Sequence, residues 1–134
     1  MNVNYKIINA QDFIKAKPSG EIDLARSKEV LSEIAAMVSP PDDYEILLDI
    51  REAYGNLSYS DVYELVAVLG QHRAEFSNKI AILARDDEQF DRARFLELSA
   101  SLNGFRIGAF LDFERTINWL QPSVDLDERT QDEP

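Results

Sequence analysis

Val3, Tyr5 and Ile7 alternate with Asn2, Asn4 and Lys6. A period of two predicts a strand with one face buried. Asn9-Ala10-Gln11-Asp12 carries turn chemistry, and a second strand follows over Phe13–Lys17, ended by Pro18-Ser19-Gly20. Strands this close in sequence predict an antiparallel hairpin. The period then changes. Leu24, Ser27, Leu31, Ile34 and Val38 recur at threes and fours, which is one stripe of a helix. Asp23 stands at its N-cap, and Pro40-Pro41 is the expected stop.

Glu45-Ile46-Leu47-Leu48-Asp49-Ile50 is a short apolar run between turn signals. It predicts a strand covered on both faces, the mark of a largely parallel sheet. Tyr54-Gly55-Asn56 reads as a loop. Ser58-Tyr59-Ser60-Asp61 has the form of a capping box, in which serine and acid each serve the other's backbone amide. The helix behind it sets Val62, Leu65, Val66, Leu69 and Phe76 on one side and places His72 mid-helix. Lys79–Ala84 repeats the buried-strand pattern. Asp86-Asp87-Glu88-Gln89 opens a third helix, with acids where the helix dipole favours them. Its stripe is Phe90, Ala93, Leu96 and Ala100, with Phe95, Leu98 and Leu102 beside it, and Asn103-Gly104 ends it. Phe105–Phe110 is a last strand. Asp112 caps a short final helix in which Phe113, Ile117 and Leu120 share a face, with Trp119 alongside.

The order β-β-α-β-α-β-α-β-α predicts an α/β fold: a mixed, mostly parallel five-stranded sheet flanked by four helices. Residues 1–120 form the expected domain, without internal repeat or linker. Residues 121–134 differ in character. Five acids (Asp125, Asp127, Glu128, Asp132, Glu133) face one base, Arg129, and only Val124 and Leu126 are apolar enough to bury. Burial cannot offset the ordering entropy of such a segment, so a mobile acidic tail is expected.

Charge narrows the range of partners. The 134 residues hold 14 Lys+Arg against 25 Asp+Glu, a net charge of −11, of which the tail carries −4. Such a chain repels phosphate backbones and anionic lipid surfaces, so neither nucleic acid nor membrane insertion is expected. The lack of cysteine excludes disulfides and thiolate chemistry, and His72 as the sole histidine excludes a histidine-rich metal site. Apolar runs stop at about five residues, far short of the ~20 that span a bilayer. No export signal opens the sequence, and the expected location is cytoplasmic.

Catalytic constellations are missing. Gly20, Gly55, Gly70, Gly104 and Gly108 are scattered and form neither a phosphate cradle nor a nucleophile elbow. Asp42-Asp43 and Asp86-Asp87 sit where turns and caps account for them. Asp49 ends a buried strand, where α/β folds place ligand-facing residues. A phospho-accepting receiver aspartate would sit there, but no acidic pair follows the first strand and Arg85 stands where a lysine is needed. The alternative is that Asp49 caps its own loop. Ser58 and Ser60 begin a helix, where free amides accommodate an anion, so either is a candidate phospho-acceptor as well as a cap. Tyr54, Tyr59 and Tyr63 cluster about the same loop, and exposed tyrosines favour binding surfaces.

Lys17-Pro18-Ser19-Gly20-Glu21-Ile22-Asp23 resembles the Gly-Glu-Leu-Asp turn of the STAS domain, the fold of bacterial anti-sigma-factor antagonists of the SpoIIAA type. Leu47-Leu48-Asp49-Ile50 resembles that family's central strand, and Ser58 to Gly70 stands in place of its switch helix. Lys79–Ala84, Phe105–Phe110 and the closing helix through Trp119-Leu120 complete a likeness over residues 1–120. The family's Asp-Ser-Ser-Gly phosphorylation motif is missing, so the closer comparison is a broader SpoIIAA-like group without it. The resemblance implies a small non-enzymatic bacterial regulatory module without cofactor or metal. A partner protein would dock on Arg51, Tyr54, Tyr59 and Tyr63, with Ser58 or Ser60 as the phospho-switch. The alternative is a small-molecule or lipid-binding domain, its cavity lined by Phe90, Phe95, Phe110 and Trp119.

Overall fold

The computed structural model describes residues 3–8, 13–38, 45–55 and 57–120. Strands β1 (Val3–Ile8) and β2 (Phe13–Pro18) form the antiparallel hairpin, paired from Val3 opposite Pro18 to Ile8 opposite Phe13. A two-residue strand β3 (Gly20–Glu21) leads into α1 (Leu24–Met37). The Asp23 carboxylate accepts the Arg26 amide at 2.8 Å, and the helix buries Ser27, Val30, Leu31, Ile34 and Ala35. Pro40-Pro41, the expected stop, and Asp42-Asp43 lie outside the described residues.

Strand β4 (Glu45–Asp49) runs into a turn and a second two-residue strand, β5 (Ala53–Tyr54). Helix α2 (Tyr59–Gln71) follows, then β6 (Ile80–Leu83), α3 (Glu88–Ser101), β7 (Ile107–Phe110) and α4 (Phe113–Leu120). Asp87 caps α3 by accepting the Gln89 amide at 2.8 Å, and the Asp112 carboxylate accepts the Arg115 amide at 3.0 Å.

The main sheet has five strands in the order β1-β2-β4-β6-β7, with every pair after the hairpin parallel. Each crossover steps in the same direction across the sheet. Right-handed crossovers that never reverse direction place their helices on one face. Accordingly α1, α2 and α3 share one core with Ile14, Ala16, Ile46, Ile80, Ile82 and Ile107. The alternate residues Leu47, Ala81 and Leu83 point the other way, where Leu120, Ile117 and Trp119 of α4 cover them. Gly108 makes that contact fit: a Cβ there would stand 2.8 Å from the Phe110 ring and 3.3 Å from Trp119.

Several boundaries differ from the periodic reading. Phe76 is buried as expected but lies past the end of α2, and His72 is its C-cap (φ −123°, ψ 45°), not a mid-helix residue. A turn bonded from the Phe76 amide to the His72 carbonyl returns the ring to the core, so the apolar spacing persists without the helix. Tyr54 is paired, not looped: β3 and β5 form a separate two-stranded parallel sheet, Gly20 beside Ala53 and Glu21 beside Tyr54. Two-residue strands carry no readable period. Phe113 leaves the expected inner face of α4 and is 45% exposed.

Candidate functional site

Asp49, at the end of β4, is fully buried. Its oxygens accept the Arg51 amide at 3.1 Å and the Arg51 side chain twice, from Nε at 3.0 Å and Nη2 at 3.0 Å. Burial would push this carboxyl up. The Arg51 hydrogen bonds and charge, helped by Lys17, outweigh it and hold Asp49 below the ordinary carboxylate value. The bidentate fork engages both oxygens, which is the loop-capping role and not that of an open phospho-acceptor. It also ties Arg51 down beside the loop.

Three side chains from beyond β6 fix the rest of that loop. Arg85 Nη1 donates to the Arg51 carbonyl at 2.6 Å and the Ala53 carbonyl at 2.7 Å. Gln89 Nε2 donates to the carbonyls of Ile50 at 2.7 Å and Ala53 at 3.1 Å, while its Oε1 accepts the Arg85 amide. Arg92 Nε donates to the Leu57 carbonyl at 2.7 Å. Asp87 in turn steadies Arg85 through its Nε, 3.1 Å away. The Gln89 amide and then the Arg85 guanidinium hold the Asp87 carboxyl below its usual value.

Beyond the loop, Ser58 caps α2. Its Oγ accepts the Asp61 amide at 3.0 Å, and Asp61 Oδ2 accepts the Ser58 amide at 2.9 Å. Ser60 lies exposed in the first turn. Tyr54, Tyr59 and Tyr63 are 58%, 48% and 60% exposed. Tyr59 and Tyr63 both meet the ring of Phe95 edge-on, with centroids at 4.8 Å and 5.3 Å, and the Arg92 guanidinium lies 4.2 Å over Tyr59. Tyr59, Phe95 and Leu98 line a shallow groove flanked by Asp91 and Arg94. Tyr54 stands apart, on β5.

Between this loop and the helices lies a cleft of about 340 Å³. Leu48, Ile50 and Ile82 line it from the sheet, Val30 and Leu31 from α1, Leu65 from α2, and Ala93 and Leu96 from α3. Exposed Tyr54, Gly55, Asp87 and Glu88 mark its mouth. The cleft lies between helices and sheet, but the expected lining of Phe90, Phe95, Phe110 and Trp119 is wrong. Phe110 and Trp119 belong to the α4 core, Phe90 packs into the main core, and Phe95 faces the tyrosines. Aliphatic side chains line the space instead.

The sequence reading missed Gln89, Arg92 and Leu98, and it gave Phe95 a place in the cavity instead of beside the tyrosines. One signal was available: Phe95, Leu98 and Leu102 sit off the core stripe of α3, and an apolar residue off the stripe faces outward. No sequence signal marked the backbone carbonyls that Arg85 and Gln89 bond. Among the described residues no three acids or histidines gather to hold a metal ion, and no helix is long and apolar enough to cross a membrane.

No protein-family model matches the chain, and no curated protein sequence does. Among solved structures it is similar to an uncharacterized DUF3478-family protein with a SpoIIAA-like fold from Shewanella loihica PV-4. The two share 16% identity, with a TM-score of 0.60 over 89% of this chain and 92% of that one. That likeness, together with a parallel sheet carrying three helices on one face and one on the other, shows that the chain has the SpoIIAA-like fold.

Proposed function

We propose that this chain is a non-enzymatic regulatory module that docks a partner protein on the surface around the start of α2. The observation that carries the reading is the pair Tyr59 and Tyr63, open to solvent and packed edge-on against the half-buried Phe95 beside the capped helix start. Rigid aromatic rings on secondary structure are the side chains that dominate protein interfaces. Tyr54 and the exposed part of Arg51 extend the surface toward the clamped loop. Ser58 and Ser60 are its switch: a phosphate adds roughly −1.5 to −2 charge at the helix start. On Ser58 it meets Asp61 and displaces the capping box, whereas on Ser60 it leaves the box in place. The polar groups of the site support a non-catalytic role, because Asp49 and Ser58 are already spent on structural bonds.

The test is capture of partners by the tagged full chain from its native cell. A specific protein that is captured by the natural chain and lost from Tyr59→Ser/Tyr63→Ser supports the reading. Capture that the double variant leaves unchanged overturns it.

The aliphatic cleft favours a second reading, a small hydrophobic ligand held between helices and sheet. Its volume, about 340 Å³, is within the range of small-molecule sites. Native mass spectrometry after gentle purification decides it: a co-purified mass supports a ligand, and a clean apo mass argues against one.

A further inference from the structure

The aliphatic cleft contains a buried hydroxyl with nothing to bond. Ser27, on α1, is 8% exposed and lines the cavity. A helical serine can turn its hydroxyl back to the carbonyl four residues earlier. Here the Asp23 carbonyl takes only the Ser27 amide, at 2.9 Å, and Ser27 Oγ has no hydrogen-bond partner among the described residues. A buried hydroxyl left unpaired costs free energy, which an occupant with a matching oxygen recovers.

The other polar side chains within the cleft are engaged. Arg85 bonds two loop carbonyls and Asp87. Gln89 spends its amide nitrogen on the loop and its oxygen on the Arg85 amide. Arg92 donates to the Leu57 carbonyl and lies over the Tyr59 ring. The lining carries two cations, Arg85 and Arg92, against two acids, Asp87 and Glu88, so its charge cancels. An anion that enters loses its hydration, finds no net attraction in the lining, and approaches a chain of net charge −11 that repels it. A cation finds no buried carboxylate there, because Asp87 and Glu88 are exposed at the mouth. An uncharged head meets neither penalty. The cavity of about 340 Å³ holds on the order of ten heavy atoms, at ~30 Å³ for each water-sized group.

We infer that the cleft is a site for an uncharged aliphatic amphiphile, its hydroxyl or carbonyl oxygen bonded to Ser27 Oγ and its chain lying along Leu31, Leu65, Ile82 and Leu96. The inference rests on the second reading above, that the cleft holds an apolar ligand, and adds the chemistry of that ligand.

Octanol, octanoate and toluene are titrated separately into the full chain at neutral pH and followed by amide chemical shifts. Octanol should move the signals of α1, β4 and α3 that border the cleft. It should bind at least about tenfold more tightly than octanoate, whose charge must be stripped of water. Ser27→Ala should weaken octanol by about three- to tenfold and leave toluene, which has no hydrogen-bonding group, unchanged. Alanine suits a helix interior, so this variant should fold, and its Tm checks that it does. Ala93→Leu should block octanol and toluene alike. Toluene that binds while octanol is indifferent to Ser27→Ala overturns the inference and leaves the apolar cleft standing. Binding by none of the three overturns both. Octanoate that binds as tightly as octanol, or octanol that still binds to Ala93→Leu, overturns the inference as well.

Discussion

A buried carboxylate is stable only while its counter-charge stays in place, and Asp49 depends on Arg51 two residues away. Arg51→Ala would leave the charge buried and unpaired. Breaking a fully buried pair costs about 3–5 kcal/mol. The Arg51 side chain is 42% exposed, so water replaces part of the loss and about 1–3 kcal/mol is expected from denaturant midpoints. The pH dependence has a definite sign. The folded Asp49 carboxyl lies below its unfolded value, so its contribution is complete above the unfolded value, near 3.8, and is lost as pH falls through the folded one. The stability gap between the natural chain and Asp49→Asn should be widest at neutral pH and close in strong acid; a gap independent of pH would refute this account. Ser58 separates capping from signalling. Ser58→Ala should lower stability by about 1 kcal/mol, since it removes a cap, while Ser58→Asp retains an accepting oxygen and should cost less. If the switch resides at Ser58, only Ser58→Asp should also abolish partner capture. The Ser58 cap and its reciprocal bond from Asp61 were legible in the sequence because capping is a local pattern. The engagement of Asp49 was open to two readings, since which groups meet a strand end is decided by the loop's path.

Among the elements, the legible ones were those with a period to read. The helices carry their stripes over three or four turns, and β4 and β6 show uninterrupted apolar runs. β3 and β5 are too short to show anything, and they exist because chain geometry lets Gly20 donate to the Glu52 carbonyl and Ile22 to the Tyr54 carbonyl. Gly55 is what permits this approach. Its φ of +150° is strained for any side chain, and a Cβ there would collide with the Ile22 carbonyl oxygen. Gly55→Ala should therefore destabilise the chain by about 2 kcal/mol and speed hydrogen exchange at Ile22, whose partner is displaced. Gln89→Ala tests the same small sheet from the other side. It removes the donor shared by the Ile50 and Ala53 carbonyls, and should accelerate exchange around β5 without reaching the core of α3. Equal protection in both variants would mean that the clamp contributes nothing. The cleft lining was misread because aromatics were expected to surround a cavity. Ring position follows from which side of its element each residue occupies, and that required the sheet order.

For the whole molecule, that order governs most of what the surface offers. Crossovers that never reverse leave no crevice between diverging strands, so the opening forms instead between the helices and the ends of β4 and β6. The same order gives three helices to one face and one to the other. The aliphatic cleft and the tyrosine surface thus lie on the same side, separated by α2 and α3, and one substitution can test whether they act together. Ala93 is buried in α3, and its side chain lines the cleft. In a filled core, Ala→Leu overpacks and costs about 1–3 kcal/mol. Beside an open cleft the added carbons displace void or water, and the expected change in stability is about zero to 1 kcal/mol in either direction. Ala93→Leu should thus fold with a Tm near that of the natural chain and lose any co-purified apolar mass. Partner capture through Tyr59 and Tyr63 should persist, because Phe95 and the tyrosines lie outside the filled space. Retained capture with an emptied cleft identifies docking as independent of the ligand. Capture that vanishes from a folded Ala93→Leu chain would show instead that the cleft's contents set the geometry of α2 and α3, and docking by the surface alone would fail as an account of function.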